Sequence, residues 1–126
     1  MDLRHIALVC RSEESSDRFY RDLLGLEKQP AKQVPADLMN DIFGLAIEAT
    51  IINYAGHDLW FEIFIVDLIE KTPVSHHCLA VPDRPALLKK CRSLNIVVRE
   101  ITKPDGSLLV FIADDDHNQF EIKETV

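Results

Sequence analysis

Two histidines and two glutamates are the residues of this 126-residue sequence whose types and spacing could carry chemistry. His5 and Glu62 stand in apolar stretches of the first half, and His77 and Glu121 stand in similar stretches of the second half. Neutral imidazoles and carboxylates are ligands that divalent metals take in proteins. The four side chains therefore predict a site for one divalent metal ion, and the ligand set fits zinc, nickel, cobalt or manganese equally well.

The main argument for this site is that the pairing occurs twice. Residues 5–9 align with residues 77–81, and residues 61–63 align with residues 120–122, so each histidine and each glutamate falls at an equivalent place. A single strand histidine is more often a hydrogen-bonded core residue, and a single strand glutamate is more often an edge charge. Independent structural causes would rarely repeat the combination, which favours metal binding.

The alternation of side chains along strands decides whether the four donors can meet. Successive residues point to opposite faces, so His5, His77, Glu62 and Glu121 each point away from their immediate apolar neighbours. If the apolar faces pack against helices, all four donors point to one concave surface. His76 stands beside His77 and would exchange roles with it after a register shift of one residue, but the alignment with His5 favours His77.

The elements that must position these residues follow the same order in both halves, which is a strand, a helix and three strands. Ser12 and Asp83 are predicted to cap the helices that follow the two histidine strands. The chain is therefore interpreted as one domain made of two modules, residues 1–66 and 75–126. The charged, proline-containing segment 67–74 is the predicted linker.

Two local predictions complete this outline. Pro35 and Gly44 bracket a further short helix at Ala36–Phe43. The segment Asp114–Asn118 is predicted to be a turn whose side chains bond its own backbone, because aspartate and asparagine do so readily.

Composition and charge exclude several classes of protein. The chain has 21 acidic and 14 basic residues, and its net charge of -7 repels nucleic acid. No apolar run approaches the roughly 20 residues of a membrane span. Cys10, Cys78 and Cys91 form neither a disulfide framework nor a metal motif, so we expect buried thiols, the last two packed against helices, in a reducing compartment. The N-terminus has no signal-peptide pattern, which predicts a cytoplasmic protein. The metal site predicts a small-molecule substrate as its partner.

Short motifs surround the four donors. The first half contains His5-Ile6-Ala7-Leu8-Val9, then Phe19-Tyr20 and Leu24-Gly25-Leu26. The second half contains Val81-Pro82-Asp83 after its histidine strand and Asp116-His117-Asn118-Gln119-Phe120-Glu121 near its end. Together these motifs resemble glyoxalase I and its relatives, the vicinal oxygen chelate superfamily of glyoxalases, bleomycin-resistance proteins and dioxygenases. The resemblance spans nearly the whole chain.

This resemblance carries implications for fold and assembly. It implies an α+β fold in which two βαβββ modules form a curved mixed sheet, a half-barrel, with the helices on its outer face. It implies a homodimer, which is the usual state of such proteins. It also implies a metal held by the equivalents of His5, Glu62, His77 and Glu121.

Among the chemistries of the superfamily, the two glutamates favour a glyoxalase I-like lyase or isomerase. Four protein ligands of an octahedral ion leave two adjacent positions, which suit a substrate that chelates through neighbouring oxygens. In that mechanism a metal stabilises the enediolate formed when a proton leaves the carbon next to a carbonyl. Glu121 is predicted to be the base, with Glu62 as its partner. Trp60 and Phe64 flank Glu62 and are predicted either to line a substrate pocket or to fill the core.

Three other functions remain open. A metal-free protein similar to the bleomycin-resistance proteins would hold a ligand without altering it. Methylmalonyl-CoA epimerases typically carry glutamine where Glu62 stands, and ring-cleaving dioxygenases typically use two histidines and one carboxylate. The segment Lys71–His76 lacks the glycine-rich approach common in glutathione-dependent members, which argues against glutathione as a co-substrate.

Overall fold

The computed structural model describes residues 1–68 and 74–125. The chain divides into two units, Met1–Ile69 and Glu70–Val126, and each unit contains one sheet with both parallel and antiparallel strand pairs. The predicted α+β class with mixed sheets is therefore confirmed. Residues 69–73 of the predicted linker lie outside the described residues.

Within residues 1–68, the first unit contains five strands and two helices. They are β1 (Ile6–Cys10), α1 (an α-helical turn at Glu13–Ser16 that continues with π-helical geometry at Asp17–Leu23), β2 (Glu27–Lys28), β3 (Lys32–Val34), α2 (Ala36–Phe43), β4 (Ala49–Gly56) and β5 (Leu59–Ile65). The sheet order is β1-β5-β4-β2, and β3 also pairs with β4. Strands β1 and β5 are parallel, whereas the other pairs are antiparallel.

The second unit repeats the predicted order of a strand, a helix and three strands. Its elements are β6 (His77–Val81), α3 (Arg84–Ser93), β7 (Val97–Thr102), β8 (Leu108–Ala113) and β9 (Gln119–Glu124). The sheet order is β6-β9-β8-β7, with β6 and β9 parallel. As in the first unit, the histidine strand lies beside the glutamate strand, because a helix connects it to the rest of the sheet and allows parallel pairing.

Helices α1 and α3 begin at the predicted N-caps, and α2 has the predicted bounds. The Ser12 side chain accepts a hydrogen bond from the backbone N–H of Ser15 at 3.1 Å, and Asp83 accepts one from Ala86 at 2.9 Å. These contacts satisfy N–H groups that have no partner within the helix. Gly44 ends α2 in the left-handed region, at φ 71°.

Helix α1 packs on one face of the first sheet through aromatic rings. The ring centroid of Tyr20 lies 5.5 Å from that of Tyr54 and 5.4 Å from that of Phe61. All three residues are fully buried, as are Ile52 and Ile63 on the same two strands. Large buried aromatic surfaces of this kind contribute much of the apolar stabilisation of a small domain.

A polar contact also joins α1 to the sheet. The Tyr54 hydroxyl donates a hydrogen bond to Asp17 Oδ1 at 2.7 Å, and Lys28 Nζ donates one to Asp17 Oδ2 at 3.0 Å. Burial raises the pKa of Tyr54 above its usual range, and the hydrogen bond to Asp17 raises it further. The hydroxyl therefore stays neutral and donates to the carboxylate, which is a stronger bond than one between two neutral groups.

Helix α2 lies on the opposite face of this sheet from α1. Its buried Met39 packs with Ala49, Phe64 and Val66, and the partly buried Val9 contacts the same cluster. Phe43 at the end of the helix makes an edge contact with Phe64, with ring centroids 5.5 Å apart. The face that carries Glu62 is therefore covered at one end by a helix, whereas the expectation from the sequence was that helices lie on the outer face alone.

The core of the second unit lies between α3 and its sheet. Its buried residues include Leu79, Leu88, Cys91, Val110, Ile112, Phe120 and Ile122. Burial raises the pKa of the Cys91 thiol to about 11, which fits the predicted role of Cys91 as a small apolar residue.

The predicted turn at Asp114–Asn118 is confirmed. Asp114 Oδ1 accepts hydrogen bonds from the backbone N–H groups of Asp116 at 3.0 Å and Asn118 at 2.9 Å. The Asn118 side-chain amide donates to Asp114 Oδ2 at 2.6 Å. Among the described residues, no helix combines the length and apolar character required to cross a bilayer.

We expect the Tyr54→Phe variant to lower the free energy of unfolding by about 1–3 kcal/mol, because it removes a charge-assisted bond between the buried Tyr54 and the partly buried Asp17 carboxylate. Urea titration at neutral pH measures this loss. Since the pKa of Tyr54 is raised on folding, the wild-type protein should also lose stability as the pH rises above about 10, where the unfolded state ionises. The variant should lose less stability over the same pH range.

Thr50→Val is the matched control for this prediction, since it removes a bond on the same strand. The Thr50 hydroxyl accepts a hydrogen bond from Gln33 Nε2 at 2.9 Å, but this pair is exposed to solvent. Its loss should change the free energy of unfolding by no more than about 0.5 kcal/mol. Equal losses for Thr50→Val and Tyr54→Phe would contradict the importance given to the Asp17 contact.

Candidate metal centre

The first unit places His5 and Glu62 on the same face of its sheet. Ala7 in β1 pairs with Glu62 in β5, and paired residues of neighbouring strands share a face. His5 lies two residues before Ala7 and therefore points to this face as well. The distance from His5 Nε2 to Glu62 Oε2 is 4.0 Å, and both side chains are reached by solvent. The sequence prediction that these two residues meet agrees with this geometry.

Trp60 lies on the same face and remains accessible. It is 44% exposed, and its indole N–H donates a hydrogen bond to Asn53 Oδ1 at 2.8 Å. Phe64, which was predicted either to line a substrate pocket with Trp60 or to fill the core, is only 8% exposed and belongs to the cluster under α2. Trp60 is therefore available to a ligand, whereas Phe64 lies in the core.

The second unit places His77 differently from the sequence prediction. His77 in β6 pairs with Phe120 in β9, and the two rings stack at a tilt with centroids 5.7 Å apart. Phe120 is fully buried, whereas Glu121 follows it in the strand and points to the other face. The prediction that His77 shares a face with Glu121 is therefore wrong. Burial lowers the pKa of His77, and the neighbouring His76 lowers it further.

His76 takes the position that was expected of His77. Cys78 pairs with Glu121, and His76 lies two residues before Cys78, so these three residues share a face. The ring of His76 contacts Phe111, with centroids 5.7 Å apart, and Phe111 is the partner of Glu121 on the next strand. The register that exchanges the roles of His76 and His77 is therefore the one that forms.

The helix N-caps contain a signal that would have identified His76. His5 precedes the N-cap Ser12 by seven positions, and His76 precedes the N-cap Asp83 by seven positions. The alignment of matching letters instead paired His5 with His77, one position too far along the chain. Counting from a structural landmark is more reliable here because the strand and the connection to the helix have the same length in both units.

The same shift corrects the prediction for Cys78. Cys10 and Cys91 are buried, as predicted, but Cys78 is exposed. Because His77 and Leu79 take the positions that face the core of the second unit, Cys78 points to the face of Glu121 and does not pack against a helix.

The two glutamates have different surroundings. Glu62 lies beside His5 and pairs with Asn53 on β4. The side chain of Glu121 is only 16% exposed, and Lys123 Nζ lies 3.8 Å from its Oε1. The Glu121 carboxylate is therefore the less hydrated of the two and has a cation nearby.

Arg99 adds a second cation on the face of Glu121. It pairs with Phe111 across the β7–β8 ladder, and its guanidinium lies over the Phe111 ring, with Cζ 5.4 Å from the centroid. It also donates a hydrogen bond to Gln119 Oε1 at 2.7 Å. Phe111 thus contacts both Arg99 and His76 and holds them against the sheet.

Comparison with solved structures identifies the fold. A glyoxalase family protein from Enterococcus faecalis has a TM-score of 0.74 and 17% sequence identity, with coverage of 96% of this chain and 95% of its own. The fosfomycin resistance protein FosX from Listeria monocytogenes has a TM-score of 0.75 and 14% identity, with coverage of 100% and 94%. The chain has the vicinal oxygen chelate fold. The fold predicted from the sequence motifs is thereby confirmed.

Other comparisons add one further finding. A FosX variant from Listeria monocytogenes was crystallised with Mn(II) and 1S,2S-dihydroxypropylphosphonic acid, and it has a TM-score of 0.75 and 16% identity, with coverage of 99% of this chain and 93% of its own. No family model and no curated protein matches the sequence.

The donors present suit a divalent ion. Two ligand atoms that are each ~2.1 Å from one ion lie between ~3 and ~4.2 Å apart, and the 4.0 Å separation of His5 Nε2 and Glu62 Oε2 falls in this range. His76 Nδ1 lies 2.8 Å from the carbonyl oxygen of Val74, which can only accept a hydrogen bond. In the neutral ring the proton is therefore on Nδ1, which leaves the lone pair on Nε2, as is usual in metal-binding histidines.

We expect His77→Ala to lower the free energy of unfolding by about 1–2 kcal/mol, because it removes a ring that packs on the buried Phe120. The neighbouring variant His76→Ala should change it by less than about 0.5 kcal/mol, since His76 is exposed. Urea unfolding in the presence of a chelator compares the two variants without any contribution from bound metal. The reverse order of stabilities would contradict the assignment of His77 to the core.

Proposed function

We propose that this protein is a metal-dependent enzyme that acts on a small substrate through neighbouring oxygen atoms. The observation that carries the proposal is the repetition of one arrangement, in which each unit holds a histidine and a glutamate on the same face of parallel strands. These pairs are His5 with Glu62 and His76 with Glu121. His76 replaces His77 in the ligand set expected from the sequence.

The solved structures with the same fold support the type of ligand. The FosX variant binds Mn(II) together with a compound that carries hydroxyl groups on neighbouring carbons. A second FosX structure contains Mn(II) and sulfate. Manganese is one of the four ions that fit the ligand set, with zinc, nickel and cobalt, and these structures make Mn(II) a practical first probe.

The proposed reaction is a glyoxalase-type proton shift, which makes the enzyme a lyase or an isomerase. A bound divalent ion would act as a Lewis acid on the oxygen atoms of the substrate. Glu121 is the proposed base that takes a proton from the carbon next to a carbonyl and returns it to the neighbouring carbon. Its low exposure limits hydration of the carboxylate, and Lys123 at 3.8 Å compensates part of its charge. Glu62 is the second carboxylate ligand, and the exposed ring of Trp60 provides apolar contact to the substrate.

We expect His5→Ala, His76→Ala and Glu121→Gln each to weaken Mn(II) binding at least about tenfold, since each change removes one ligand. Isothermal titration calorimetry measures the affinity and the number of ions bound. If all four residues hold one ion, the wild-type protein binds one Mn(II) per chain and every single substitution affects that ion. Light scattering on the same samples tests the expected homodimer.

His77→Ala is the matched control, because it changes the adjacent histidine that packs on Phe120. Its Mn(II) affinity should stay within about twofold of the wild-type value when it is measured on folded protein. Loss of Mn(II) binding in His77→Ala but not in His76→Ala would contradict the assignment. A protein that binds no divalent ion would instead be a metal-free ligand-binding protein.

The assignment of Glu121 as the base predicts that Glu121→Gln lowers turnover at least about a hundredfold at saturating metal, because the amide cannot take the proton. Methylglyoxal with and without glutathione is the first substrate to assay, followed by methylmalonyl-CoA and catechol. Lys123→Met, which leaves the base in place, should lower turnover much less. Activity on catechol alone would show that the reaction is a ring cleavage and not a proton shift.

A further inference from the structure

Asn53 is a buried polar residue on the face that carries Glu62. It lies in β4 between apolar neighbours, is only 4% exposed, and pairs with Glu62 across the β4–β5 ladder. Directly paired residues on one face of neighbouring strands have Cβ atoms about 4.5–5.5 Å apart. The amide of Asn53 is therefore next to one of the proposed metal ligands.

Trp60 fixes the orientation of this amide. An indole N–H can only donate, so the atom of Asn53 that it contacts at 2.8 Å must be the oxygen Oδ1. The amide nitrogen Nδ2 then points away from Trp60. Within the part of the chain that the structure describes, no residue accepts a hydrogen bond from Nδ2. Nδ2 is not sealed from solvent, so it can donate to a partner outside the chain, such as a bound ligand.

The surrounding rows of side chains leave room for such a partner. Ala7, Glu62 and Asn53 form one row across three strands, and the small side chain at Ala7 leaves this row open. The next row, which includes Phe64, is covered by α2. On the other side stands Trp60, whose exposed ring borders the open row. A small ligand that contacts Glu62 can therefore also reach the amide of Asn53, which is paired with Glu62 on the next strand.

The equivalent position in the second unit holds no amide. Phe111 pairs with Glu121 as Asn53 pairs with Glu62, and its ring is in contact with Arg99 and His76. The donor beside the glutamate is thus specific to the first unit. The repetition of the two units does not explain its presence.

We propose that Asn53 donates a hydrogen bond from Nδ2 to an oxygen atom of the substrate bound beside Glu62, and that Trp60 is the positioning residue that keeps the amide in this orientation. The substrate class is a small molecule with an acceptor oxygen next to its chelating oxygens, such as a 2-hydroxy or 2-oxo acid. This inference rests on the proposed function, since the ligand is the substrate of the metal site.

Glycolate is a suitable probe, because it is a small molecule with neighbouring hydroxyl and carboxylate oxygens. Calorimetry with Mn(II)-saturated protein should give a glycolate Kd about tenfold higher for both Asn53→Leu and Asn53→Asp than for the wild type. Asn53→Asp keeps the shape and the bond from Trp60 but replaces the donor with an acceptor. Trp60→Phe, which removes only the indole N–H from an aromatic ring, should raise the Kd about threefold. The Mn(II) affinity of Asn53→Leu should stay within about threefold of the wild type.

Several outcomes would overturn the inference. Wild-type glycolate affinity in Asn53→Asp would show that Asn53 does not act as a donor, and absence of glycolate binding to Mn(II)-loaded wild type would show that the face does not hold such ligands. If the protein binds no Mn(II), the proposed function fails separately. The side-chain amide resonance of Asn53 in ¹⁵N-labelled, metal-free protein then decides the matter. A shift on glycolate addition that is absent in Trp60→Phe supports the role of Asn53, and an unchanged resonance rejects it.

Discussion

The parallel pairing of the first and last strands in each unit is the constraint on which the candidate site depends. In the first unit the register places Ala7 beside Glu62, and in the second it places Cys78 beside Glu121. Because side chains alternate between the two faces of a strand, this register fixes which histidine accompanies each glutamate. A shift of one residue would move an imidazole from the face of the glutamate into the core, so the chemistry depends on packing that is remote from it.

The packing that sets this register lies on the other face of the strands. In the first unit, Phe61 packs with Tyr20 and Tyr54, and Asp17 ties the helix to the sheet. In the second unit, Phe120 is fully buried, and the ring of His77 packs against it. The two phenylalanines occupy equivalent places, directly before the glutamates. Burial of each ring therefore turns the following carboxylate to the opposite face, where it can bind a cation.

The two units share a plan but differ in what surrounds each carboxylate. Glu62 has an imidazole and a buried amide as neighbours, whereas Glu121 has an aromatic ring and the cation of Lys123. A metal ion is spherical, so equivalent donors from a duplicated scaffold suit it. An asymmetric substrate and a proton transfer instead require different surroundings at the two carboxylates. These differences are the basis of the proposal that Glu121 transfers the proton and that the side of Glu62 recognises the substrate.

The sequence by itself determined the order of the elements in the second unit, the N-caps at Ser12 and Asp83, the helix at Ala36–Phe43 and the turn at Asp114–Asn118, because these depend on neighbouring residues. In the first unit it did not separate the short strands Glu27–Lys28 and Lys32–Val34. The motifs also identified the fold. Only the tertiary structure decided whether His76 or His77 lies on the face of Glu121 and whether Cys78 is exposed. It also decided that Phe64 lies under α2 and that the Asn53 amide accepts a hydrogen bond from Trp60. Each of these outcomes depends on pairing between distant strands or on packing against a helix, and the chain reveals such contacts only after it folds.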